Sequence, residues 1–169
     1  MTGPAGGGAR PGDPADPGGP IDPDVDLHVP AQRAEPLGPV IAAVAAGGAL
    51  GASARYGLAL LWPAGPEGFP WAVFWTNAVG SALIGVLMVL VAEGGRTPPH
   101  PLLRPFAGTG VLGGFTTFSA YAADFTRLWA AGEAARALAY AGGTLAAALG
   151  AVWAAASVAR RAVRRGGRG

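Results

Sequence analysis

The chain of 169 residues contains no cysteine, which excludes a disulfide scaffold, a thiolate zinc site and a thiol nucleophile. It has only two histidines, His28 and His100, both in polar, proline-flanked stretches, and these leave little for a histidine metal cluster. Charge is also scarce. Asp, Glu, Lys and Arg make up 13% of the residues while hydrophobic types make up 51%, against roughly 25% charged in a typical soluble chain. A soluble domain this poor in charge has trouble covering its surface. Lysine is absent, so all 12 basic residues are arginine. The isoelectric point of 9.7 suggests nucleic acid, but the arginines form no clustered basic face, and no nucleic-acid partner is expected. No base, nucleophile and acid gather at one depth, so the chain does not read as an enzyme. The composition is that of a small membrane protein.

Charge is unevenly distributed. Residues 1–37 carry six carboxylates against two arginines, and residues 38–169 carry ten arginines against Glu67, Glu93, Asp124 and Glu133. The acidic stretch, "GPAGGGARPGDPADPGGPIDPD", is rich in glycine and proline. Such a segment buries too little apolar surface to offset its ordering entropy, and 1–37 reads as a disordered tail. It lacks the basic start and apolar core of a signal peptide. Residues 38–159 form the membrane domain, and 160–169, "RRAVRRGGRG", an arginine-rich C-terminal tail suited to anionic lipid.

A bilayer core about 30 Å thick requires roughly 20 apolar residues at 1.5 Å each. Four spans qualify: Gly38 to Trp62, Trp71 to Ala92, Pro101 to Trp129 and Ala134 to Ala159. They are separated by "PAGPEGFP", "EGGRTPPH" and "RLWAAGE", which combine turn residues with charge. A soluble four-helix bundle needs a polar outer face, and the second and fourth spans have none. Gly47 and Gly51 in the first span, and Ser81 and Gly85 in the second, are spaced for close helix contact. In the fourth span Gly143 and Ala147 read as ordinary composition. Placing both termini inside puts nine arginines in the cytoplasm and only Arg127 and Arg136 outside, the favoured sense. The expected location is the cell membrane, crossed several times.

Candidate functional residues are the polar ones that lipid makes costly. Arg55 lies seven residues before Trp62, near enough to reach the interface by snorkelling, with a buried structural or vestibule role as the alternative. Asn77 is the only asparagine. Its amide can donate two hydrogen bonds to a small dehydrated anion, or it can hold helices together. The third span contains "GTGVLGGFTTFSAYAADF". Gly108, Gly110, Gly113 and Gly114 are poor material for the middle of a helix. The segment is expected to break near Gly113–Thr117, and freed carbonyls converging on one spot would suit a cation. Thr116, Thr117 and Ser119 supply hydroxyls at the same depth. Phe118, Tyr121 and Phe125 then share one helix face, where ring edges of positive character can meet an anion or simply pack.

The segments "GGALGASARY", "TNAVGSALIG" and "GGFTTFSAY", in that order, resemble the Fluc (CrcB) family of fluoride channels over about residues 38–158. The resemblance implies an all-α fold of four transmembrane helices, the third broken at mid-membrane, in an antiparallel dual-topology dimer with two fluoride pores. It implies that Asn77 hydrogen-bonds fluoride, that Phe118 and Tyr121 hold the two aromatic positions, and that Thr117 and Ser119 lie near the polar track. Arg55 matches the arginine of the first motif and is grouped with the pore residues on that resemblance. A structural Na⁺ at the dimer interface would be held by backbone carbonyls of Gly113 and Thr116. Tyr121 departs from the usual phenylalanine. The arginine bias departs from dual topology, so the second subunit is either this chain or a homologue of opposite orientation. The function so implied is passive export of fluoride trapped inside after entry as the neutral acid. The alternatives are a small proton-coupled multidrug transporter, which lacks its membrane carboxylate here, and a non-transporting scaffold.

Overall fold

A computed structural model describes residues 37–93 and 100–166, with Glu93 described only in its backbone. The expected acidic tail lies outside the described residues, except Leu37. The described residues are helical and contain no strand. Helix α1 spans Leu37–Leu61, α2 Trp71–Glu93, α3 Arg104–Leu112, α4 Gly113–Phe115, α5 Phe118–Ala130 and α6 Ala134–Gly166.

Helices α1, α2 and α6 are each long and apolar enough to cross a membrane. They are built from alanine, leucine and valine, and the one proline among them, Pro39, falls in the first turn of α1, where its missing N–H breaks no helical bond. Large apolar side chains stay on the outside: Leu50, Leu61, Leu149 and Trp153 are all exposed. A helix apolar on every side belongs in a protein core or in lipid. This is a multi-pass membrane protein.

The third span differs from its sequence expectation in one respect. Residues 104–115 stay helical through all four glycines, but 104–112 wind as a wider π-helix. The glycines do not break the chain; Gly110 and Gly114 bring it close to α1. A Cβ on Gly110 would lie 2.9 Å from both Gly47 Cα and the Val44 carbonyl oxygen. A Cβ on Gly47 would strike the Phe106 carbonyl, and one on Gly51 the Val111 carbonyl. Packing expected of Gly47 and Gly51 from their spacing is present. Gly143 has open space around it, as the plainer reading of the fourth span anticipated.

The second seam joins α2 to α6. A Cβ on Gly85 would lie 2.7 Å from the Val152 carbonyl oxygen, so the helices touch there without a side chain between them. Leu128, Ala137 and Tyr140 form a fully buried cluster, covered by Phe69, Val73, Phe74, Tyr121 and Phe125. The α5–α6 turn closes on Gly132, whose φ of 81° is open to glycine at little cost. Arg127 then anchors the α1–α2 connection: its guanidinium donates to Gly65 at 2.8 Å, to Pro66 and to Gly68 at 3.4 Å, and pairs with Asp124 at 3.1 Å. Arg136 donates to the Glu67 carbonyl. The two arginines assigned to the outer side thus hold one and the same loop. At the other end α6 does not stop at Ala159 but runs through the arginines to Gly166.

Candidate functional site

The break falls at Thr116 and Thr117. Thr116 takes φ −74°, ψ 158° and Thr117 φ −153°, ψ 126°, both extended. Extended backbone suits β-branched residues, and Gly80 of α2 makes the room, since a Cβ there would collide with the Thr116 methyl group. Thr117 also caps α5: its Oγ1 accepts from Ala120 N–H at 3.1 Å.

Asn77 holds the break. Its Oδ1 accepts from Thr117 N–H at 2.8 Å, and its Nδ2 donates to the Thr117 carbonyl at 3.0 Å. One side-chain amide therefore satisfies both backbone groups of a residue that has left the helix, as a neighbouring strand would. The interhelical role considered for Asn77 is real, and it engages one of the two amide hydrogens.

The same bonds decide which carbonyls lose their helical partners. In an unbroken helix the Gly113 carbonyl would accept from Thr117 N–H and the Thr116 carbonyl from Ala120 N–H. Those donors go instead to Asn77 Oδ1 and Thr117 Oγ1. Between the two positions, the Gly114 carbonyl accepts from Arg55 Nε at 3.2 Å. Arg55 is half-buried and acts on the broken segment from α1. No three His, Asp or Glu side chains gather to hold a metal among the described residues; backbone carbonyls and threonine hydroxyls are oxygen donors that this region offers.

Beside the break lies a cavity of about 400 Å³. Asn77, Gly113, Thr116, Thr117, Phe118 and Tyr121 all line it, together with Ser81 and Thr144. Arg55 and Ser119 do not; Ser119 is exposed, with Oγ 3.2 Å from Thr117 Oγ1. Among the described residues no carboxylate or guanidinium lines the cavity, and they give it amide, hydroxyl and carbonyl dipoles and ring edges. The Phe118 and Tyr121 rings stand 5.8 Å apart, and Phe118 is 80% exposed. The Tyr121 hydroxyl donates to the Ala141 carbonyl on α6 at 3.2 Å. The oxygen that tyrosine adds to the phenylalanine shape therefore ties α5 to α6. Thr144 was not singled out from sequence. Its hydroxyl is buried with no protein partner among the described residues, one turn beyond Tyr140, which is in the same condition. A hydroxyl at i, i+4 from a tyrosine in an otherwise alanine-rich run is the signal that would have found it.

The family model described as CrcB-like protein, Camphor Resistance (CrcB), matches residues 42–156. A Streptomyces coelicolor protein, fluoride-specific ion channel FluC 1, is 56% identical over 126 residues, covering 75% of this chain and 80% of its own. Fluoride-specific ion channel FluC 2 of Streptomyces avermitilis is 51% identical over 127 residues, 73% of this chain and 79% of its own. The FluC 2 protein of Nocardia farcinica is 49% identical over 127 residues, 75% and 89%. A match running from α1 almost to the end of the apolar part of α6, through both glycine seams and the Asn77–Thr117 pairing, places the chain in the CrcB-like family, to which it belongs.

Proposed function

We propose that this chain is a fluoride-selective channel, not an enzyme, and that it lets cytoplasmic fluoride leave passively. The observation that carries the reading is the uncharged cavity at the helix break, found in a chain whose relatives are named fluoride-specific channels. Fluoride is small and tightly hydrated, and a path selective for it must replace that water with fixed donors in a narrow space. Asn77 offers its second amide N–H, Thr117 and Thr144 offer hydroxyls, and Phe118 and Tyr121 offer ring edges. Ser119 extends the hydroxyl series through Thr117. Because no fixed charge lines the path, a bound anion is held by dipoles weakly enough to be released. An inside-negative potential drives it outward.

The working unit is an antiparallel dimer, of this chain with itself or with a homologue of opposite orientation. The outward Phe118 ring and the carbonyls of Gly113 and Thr116 would meet their counterparts there. Those carbonyls, deprived of their helical donors, would hold Na⁺, which neutralises converging dipoles and stays in place as a bridge. Arg55 positions the segment by holding the Gly114 carbonyl. The transporter reading finds no support: Asp124 is paired with Arg127 beside the loop that Arg127 anchors.

The test is fluoride efflux from liposomes holding the purified chain, with a potassium ionophore to carry the counter-charge. Efflux that needs no proton gradient, with chloride retained, is expected. Efflux that requires a proton gradient, or none at all, would overturn the proposal.

A further inference from the structure

A second groove lies between the C-terminal halves of α2 and α6, separate from the cavity at the break. It measures about 390 Å³. Ile84, Met88 and Ala92 line it from α2, and Val152, Ala156 and Arg160 from α6. The two helices run in the same direction, since Gly85 meets Val152 and Ala92 shares the groove with Arg160. The contact between Gly85 and Val152 lies at one end of the groove. Beyond it Ala92 and Ala156 are too small to fill the space between the helices. Among the described residues Arg160 is the charged one in the lining.

Depth supplies the rest. α6 has 33 residues, about 50 Å of helix, against a hydrocarbon core of about 30 Å. Its apolar part ends at Ala159, so Arg160 and the next turn stand at the level of the headgroups. Arg160, Arg161, Arg164 and Arg165 are all exposed there, and Arg104 at the start of α3 is exposed as well. An apolar slot inside the membrane, opening beneath a basic rim at its surface, matches one kind of molecule in both halves.

We propose that this groove holds an anionic phospholipid, with an acyl chain along Met88 and Ala156 and the phosphate against Arg160 and Arg164. Charge complementarity selects the headgroup: each arginine near the surface favours an anionic lipid, while a zwitterionic headgroup gains little. The apolar slot separates this from a general attraction of the arginine-rich end to negative membranes, because the chain is held at one place along the helices. The proposal requires only that the chain spans a bilayer, so it stands apart from the fluoride reading.

The experiment uses the full chain in nanodiscs containing a trace of phosphatidylglycerol with a photoreactive diazirine on its acyl chain. Adducts are mapped by mass spectrometry. Labelling concentrated on residues 84–92 and 152–160 is expected, at least fivefold above labelling by the phosphatidylcholine analogue of the same chain. The double variant Arg160→Gln, Arg164→Gln should lower it on the order of tenfold. Ala156→Trp fills the slot while keeping every arginine, and it too should remove the label. Equal labelling by the two lipids, or adducts spread evenly over the exposed faces of α1 and α6, would overturn the proposal. So would efficient disulfide cross-linking between two chains through a cysteine introduced as Ala156→Cys, because a second subunit would then occupy the groove.

Discussion

Asn77→Asp separates the two roles that Asn77 combines. The change swaps Nδ2 for an oxygen and leaves the shape nearly intact. Oδ1 still accepts from Thr117 N–H at 2.8 Å, but the other contact, 3.0 Å to the Thr117 carbonyl, now sets two oxygens against each other. Losing that donor in a half-buried site costs about 1–3 kcal/mol of stability. The charge has the larger effect. A carboxylate about 4 Å from a fluoride ion, at an effective dielectric constant near 20, repels it by about 4 kcal/mol. At 1.4 kcal/mol per factor of ten, that is roughly a thousandfold in occupancy. Ionophore-driven efflux from liposomes, read with a fluoride electrode, should fall to the leak of protein-free vesicles. Asn77→Leu makes the complementary change: it strips both Thr117 backbone groups of their partner and adds no charge. Thermal unfolding in detergent should rank the leucine variant below the aspartate variant and both below the parent. An aspartate variant that conducts within threefold of the parent, with an unchanged unfolding midpoint, would refute both the clamp and the place of Asn77 in the path.

Three further outcomes are expected. Arg55→Met removes a charged donor from the Gly114 carbonyl, so unfolding should come earlier by about 1.5–3 kcal/mol, with efflux reduced and the fluoride-to-chloride ratio kept; a changed ratio would put Arg55 in the conduction path itself. Gly51→Val should prevent a monodisperse protein from forming, because its side chain meets the Val111 carbonyl, whereas Gly143→Ala, with nothing near it, should be neutral or stabilising by up to about 1 kcal/mol; size-exclusion profiles and melting curves check both. Tyr121→Phe should cost about 0.5–1.5 kcal/mol through the lost bond to Ala141 and leave selectivity unaltered, which anion-substitution efflux measures.

Much of the architecture was legible in the sequence because lipid imposes length and hydrophobicity directly. The ends of α1 and α2 fall within a residue of the ends of the corresponding apolar runs. The break was located to the Gly113–Thr117 region for a partly mistaken reason. Glycine runs weaken helices in water, but here Gly110 and Gly114 pack directly against α1 within a segment that stays helical, and it is Thr116 and Thr117 that leave the helix. What sequence could not give was how each polar group is engaged. Asn77 in isolation fits an anion donor and a helix clamp equally well; only its pairing with Thr117 shows that one amide serves the backbone. Arg55 was grouped with the pore residues on motif resemblance, and the geometry turns it toward Gly114. Hydropathy ends the fourth span at Ala159 while α6 runs on to Gly166, because hydropathy marks where lipid stops and not where hydrogen bonding stops.

The wide winding of Arg104–Leu112 has a consequence for how this protein tolerates changes in length. A π-turn closes its hydrogen bond one residue later than an α-turn, so the segment carries surplus chain within a helical path. Deleting one residue there would let it relax to ordinary winding, which absorbs the loss, whereas tightening it to ordinary winding at its present length would turn everything downstream by roughly one residue, about 100°. Thr117 would then rotate away from Asn77, and Gly114 away from Arg55. Loops accept insertions and deletions readily; here a stretch inside the membrane can give up a residue too, provided that its winding changes with its length, because it is the winding that sets the angular phase of all that follows.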